Sequence, residues 1–144
     1  MRKLLAVIII LASTSAASAE SISVSLKPSK GLSGTVSLNL HDDGKVTMLM
    51  YESPIKIVET LIDVNEVERS NIRSLALNAL DSYLTKTDFK KIERSDFSVS
   101  FLHTKNHVSK NVTSKRLTEA AKTALRQIFI LVPQLRLNYV DENI

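Results

Sequence analysis

The chain has 144 residues, no cysteine, and 19 Lys plus Arg against 15 Asp plus Glu, a formal charge of +4. That length supports one domain with a real core, while the absence of cysteine excludes a disulfide framework and leaves packing alone to hold the fold. The mild basic balance is too small to argue for nucleic acid.

Residues 1–19 read as a secretory signal peptide. Arg2 and Lys3 form a positive start, Leu4 to Ala12 an unbroken apolar run, and Ala17-Ser18-Ala19 a small-residue cleavage pattern. The apolar run falls short of the roughly 20 residues that span a bilayer, and no leader cysteine is present to accept a lipid. The expectation is therefore cleavage after Ala19 and an exported, periplasmic or secreted product, residues 20–144, as a single domain without a transmembrane segment. Losing Arg2 and Lys3 lowers its formal charge to +2, and export argues further against nucleic acid as a partner.

From Glu20 the chain alternates, with Ile22, Val24 and Leu26 on one face and Ser21, Ser23 and Ser25 on the other, the period-two pattern of a half-buried strand. Pro28 ends it, and Gly31-Leu32-Ser33-Gly34 reads as a flexible connection. Val36, Leu38 and Leu40 alternate again, Asp42-Asp43-Gly44 interrupts, and Val46, Met48 and Met50 resume, which predicts a hairpin with Gly44 at positive φ. After Ser53-Pro54, residues 55–63 are rich in Ile, Val and Thr and read as a further strand. The spacing then turns helical: Ile72, Leu75, Ala76, Ala79, Leu80 and Tyr83 form one stripe, and Asn65 with Glu68 resembles a capping box, predicting a helix over 66–85.

A charged passage from Lys86 to Asp96 leads to a strand carrying Phe97, Val99 and Phe101. Residues 104–113 read as a loose hairpin arm or an open loop. Thr113 or Ser114 is the expected cap of a second helix with the stripe Leu117, Ala120, Ala121, Ala124, Leu125 and Ile128. The apolar run Ile128 to Val132 before Pro133 predicts a helix end buried on more than one side, and Leu135, Leu137 and Tyr139 suggest a last short strand. The fold class that follows is α+β, an antiparallel sheet of about four to six strands with two amphipathic helices packed on one face and a polar opposite face.

No motif specific to a known family is present. His103 and His107 lie four apart, but in strand and loop rather than on one helix face, so ordinary surface histidines are expected and neither a metal nor a cofactor is implied. Asp42 and Asp43 before Gly44 read as turn residues rather than as cation ligands. No nucleophile elbow or phosphate loop occurs. Met48 and Met50 read as core.

The basic residues fall in two groups, Lys86, Lys90, Lys91 and Arg94 beside one connection and Lys105, His107, Lys110, Lys115 and Arg116 beside the next. If both connections share an end of the sheet they form a positive rim for an acidic protein or an anionic envelope polymer. The reading that results is a small exported, non-catalytic binding, inhibitory or accessory protein. The alternative is a small hydrolase or metal-dependent enzyme using His103 or His107 with a carboxylate.

Overall fold

The alternating runs become strands whose inward residues are those the period selects. A computed structural model describes residues 19–28, 34–53, 55–85 and 93–132, with the backbone alone for 93–96. In chain order the elements are β1 (Glu20–Pro28), β2 (Val36–Leu40), β3 (Val46–Ser53), β4 (Lys56–Leu61), α1 (Glu66–Thr85), β5 (Glu93–Lys105), β6 (Val108–Leu117) and α2 (Glu119–Leu131). The fold is α+β, with one six-stranded sheet in the order β4-β3-β2-β1-β5-β6, every neighbouring pair antiparallel.

The register aligns like with like. Val24 stands opposite Leu38 on one side and Phe101 on the other, and Leu26 opposite Val36 and Val99. Those residues are buried in one core together with Leu40, Val46, Met48, Ile72, Leu80, Leu125 and Ile128, and Met50 packs against its edge. The other face carries hydroxyls that bond across strands, Ser25 to Ser37 at 2.7 Å, Ser100 to Thr113 at 2.8 Å and Thr104 to Ser109 at 2.8 Å. Cross-strand hydroxyl pairs hold register where no apolar packing does so.

Between β2 and β3, Asp42-Asp43-Gly44 forms a three-residue hairpin loop closed by His41 N–H to the Lys45 carbonyl at 2.9 Å and Gly44 N–H to the His41 carbonyl at 3.2 Å. Gly44 has φ +91°, the left-handed geometry that this loop class requires of its last residue. The α1 cap is reciprocal. Asn65 N–H donates to Glu68 Oε2 at 3.0 Å and Glu68 N–H to Asn65 Oδ1 at 2.8 Å, so Asn replaces the usual Ser or Thr without loss of the box.

Several local expectations are corrected. Residues 104–113 are neither loose nor open but the turn and outer strand of a tight hairpin, and β5 begins at Glu93, inside the charged passage. The second helix starts five residues after Thr113: Thr118 is the cap, accepting from Ala121 N–H at 3.1 Å, and Leu117 is buried at the end of β6 rather than in the helix stripe. Extended pairing with β5 satisfies the backbone of 113–117 and outweighs the early cap signal. At the end of α2 the expectation holds: Ile128, Phe129 and Val132 are buried and Leu131 is partly buried, so the turn is buried on more than one side, with Ile130 exposed. The leader residues 1–18, the connection 31–33 and the expected strand around 135–139 lie outside the described residues.

A buried hydroxyl network ties the end of α1 to the start of α2. Ser82 Oγ donates to the Ala79 carbonyl at 2.6 Å, which leaves Thr118 Oγ1 to donate to Ser82 Oγ at 2.7 Å. Tyr83 OH donates to the Arg116 carbonyl at 2.6 Å and accepts from Thr118 N–H at 3.3 Å, while its ring packs on Phe101 with centroids 6.1 Å apart. Tyr83→Phe keeps the ring but strands the buried Thr118 amide; urea denaturation is expected to show a loss of about 1–3 kcal/mol. An unchanged unfolding midpoint would show that the hydroxyl carries none of the stability.

Candidate functional site

The β5–β6 hairpin turns at Asn106 and His107, with φ +51° and +66°. Two successive positive φ values mark the tight two-residue turn that matches the twist of its strands, a turn whose second place is normally glycine. An L-residue in the left-handed region there costs of the order of 1–2 kcal/mol. The turn presents His107 to solvent between Lys105 and Lys110, all three exposed.

All five expected partner-binding residues fall on this one hairpin, in two clusters. Lys105, His107 and Lys110 sit at the tip, where Lys110 stands opposite His103; Arg116 stands opposite Arg94 near the other end. Lys115 follows Thr113, which lies on the hydroxyl face, at the end of β6 where the pairing with β5 shifts register. Lys110, Lys115 and Arg116 all belong to β6, an outer strand of the sheet, and from Phe97 to Thr118 the sequence contains no acidic residue.

The two connections join β5 at different ends, yet Arg116 of the second basic group stands opposite Arg94 of the first. The α1–β5 connection enters β5 at Glu93 and the β5–β6 turn leaves it at Lys105, opposite ends of a 13-residue strand about 40 Å long. Lys86, Lys90 and Lys91 lie outside the described residues, as does the Arg94 side chain.

The histidines occupy three separate settings. His107 is at the tip, and His41 Nε2 bonds Thr47 Oγ1 at 2.7 Å, where Thr47 is buried. His103 Nε2 bonds Glu20 Oε1 at 2.7 Å. An ionised carboxylate only accepts, so the His103 proton sits on Nε2. Arg73 of α1 grips the same carboxylate with two parallel bonds, Nε to Oε2 at 2.8 Å and Nη2 to Oε1 at 2.9 Å. Glu20, 53 and 83 residues from its partners, had no local spacing signal that could have revealed it. Among the described residues no group of three or more His, Cys, Asp or Glu is placed to hold a metal. Asp43 Oδ1 accepts from Lys45 N–H at 2.9 Å, the turn role its position implies.

Among the described residues no helix is long and apolar enough to cross a membrane. No protein-family model matches the chain, and no curated protein matches it significantly.

The Arg73 hydrogen bond, opposed by desolvation and aided by His103, lowers the Glu20 carboxyl from 4.5 to about 2. A folded-state value below the unfolded one stabilises the fold fully above the unfolded value and loses that contribution as pH falls through the folded one. The domain therefore weakens on acidification from about pH 4.5 towards 2. With the Arg73 side chain 37% exposed, solvent screening reduces the contribution to about 1–2 kcal/mol. Urea titrations at several pH values are expected to show Glu20→Gln less stable at pH 7 and lacking this acid-dependent slope; a slope identical to that of the parent chain would refute the assignment.

Proposed function

We propose that this chain is an exported, non-catalytic binding or accessory protein that takes an acidic, extended partner segment along the outer edge of β6. The observation that carries this reading is the character of that strand: ten residues at the edge of the described sheet, bearing Lys110, Lys115 and Arg116 and no acidic residue of its own. An outer strand presents unpaired backbone N–H and C=O groups that an extended segment can bond, and its side chains then select by charge. Like charges on β6 oppose pairing with another β6, while an acidic segment is attracted. His107 adds to the case, because a non-glycine residue at positive φ on an exposed tip is a feature that stability alone disfavours.

Export rests on the leader pattern, whose small-residue cleavage signal ends at Ala19. We also infer that α1 and α2 both cover the apolar face of the sheet. The contacts of Arg73 with Glu20 and of Tyr83 with Phe101, and the single core containing Leu125 and Ile128, support that placement. Among the described residues it leaves the Ser/Thr face and both outer strands uncovered.

The test uses the chain beginning at Glu20 and a labelled peptide of alternating Glu and Val, read by fluorescence anisotropy. Binding is expected to weaken with salt, and joint replacement of Lys105→Glu, Lys110→Glu and Lys115→Glu to reduce affinity by at least about tenfold with circular dichroism unchanged. Equal binding by the folded triple variant, or no binding by the parent chain, would overturn the reading. Intact mass of the protein recovered from the exporting cell checks the leader: a chain starting at Glu20 is expected, and one retaining Met1 refutes cleavage.

A further inference from the structure

We infer that the acidic segment best matched to β6 is the β4 edge of a second copy of this chain, so that copies join side by side into one continuous sheet. This rests on the proposed use of the β6 edge and names its partner.

The topology permits the joint without rearrangement. Six strands that alternate in direction leave the two outer ones, β4 and β6, running oppositely. A second copy added so as to continue the twist of the sheet therefore brings its β4 antiparallel to β6, with apolar and polar faces continuing across the junction. Sheets with an odd number of strands would meet parallel.

The chemistry of the two edges is complementary. From Glu52 to Glu68 the chain has five acidic residues and one lysine, and that lysine, Lys56, is already paired with Glu52 at 2.7 Å. Glu59 is exposed on β4. Against it, β6 offers Lys110, Lys115 and Arg116. The levels also agree: Glu59 aligns with Leu49, Ser37, Ser25, Ser100 and Thr113 in turn across the sheet. Sideways addition thus sets the second copy's Glu59 opposite Thr113 and diagonal to Lys115 on the same face, within reach of long side chains.

β4 and the residue before it also carry apolar side chains that the described residues leave exposed. Ile55, Ile57 and Leu61 are 97%, 53% and 66% exposed, and an outer strand with uncovered apolar side chains is a site of edge association. Ile57 and Leu61 share the face of Glu59, so they would lie against the Lys115 stem and Asn111. Because the two surfaces in contact differ, a joined pair still presents one β4 edge and one β6 edge, and growth continues beyond a dimer.

Sedimentation velocity of the chain from Glu20, across micromolar to submillimolar concentrations, is expected to show species larger than dimers that dissolve in high salt. Glu59→Lys and Lys115→Glu should each weaken association by at least about tenfold, and the two together should restore it by exchanging the charges. A monomer at every concentration, or single variants that associate as the parent does, overturns the inference. The Glu-Val peptide separates the two ideas: peptide binding by a strictly monomeric chain leaves the β6 reading standing and removes only the self-association.

Discussion

Everything in this fold is hung on β1. It lies between β2 and β5 and is bonded to both, so it joins the early meander β1 to β4 to the later hairpin β5–β6 across a long stretch of intervening chain. Its three inward residues, Ile22, Val24 and Leu26, are each at most 4% exposed and meet core residues contributed from both sides. A one-residue slip of β1 would exchange these for Ser21, Ser23 and Ser25 and bury hydroxyls where the core now sits, which is why the register is so strongly specified.

The first residue of that strand is also where the later half of the molecule is fastened. Arg73 and His103 converge on the Glu20 carboxylate from α1 and β5, and the backbone N–H of Asn106 in the hairpin turn donates to the Ala19 carbonyl at 3.1 Å. At the other end of α1, Ser82 and Tyr83 meet the Thr118 cap of α2. α1 is therefore anchored at one end by an ion pair to the sheet and at the other by buried hydroxyls to the second helix. The division follows burial: charges are kept where water partly reaches them, and neutral hydroxyls carry the dry junction.

Because β1 is central, the extremes of the sheet are β4 and β6, and the two have been given opposite characters. β6 is polar and cationic, with a turn that holds an imidazole in a costly conformation; β4 is short, acidic in its surroundings and apolar on one side. Natural sheets commonly protect their edges with charge. Here β6 bears Lys110, Lys115 and Arg116, whereas β4 bears one lysine and one glutamate, with further acids on the chain to either side of it. The proposed capture of an acidic strand and the proposed side-by-side assembly both rest on that asymmetry.

The sequence alone determined what is periodic or local. Alternation in residues 20–26, 36–40 and 46–50 specified strands and their inward faces; the 3.6-residue stripe from Ile72 to Tyr83 specified α1; Asn65 with Glu68 and Asp43 with Gly44 specified a cap and a turn, because each pair closes its own backbone bonds within a few residues. The basic residues were visible too, but not their arrangement. Only the tertiary structure decided that 108–117 is a strand, since a polar outer strand has no apolar period and is held by pairing with β5. The move of the α2 cap to Thr118, the meeting of Glu20 with Arg73 and His103, and the strand order that makes β4 and β6 the edges all depend on contacts between residues far apart in the chain. No local pattern encodes such contacts, because what selects them is the burial of one shared core.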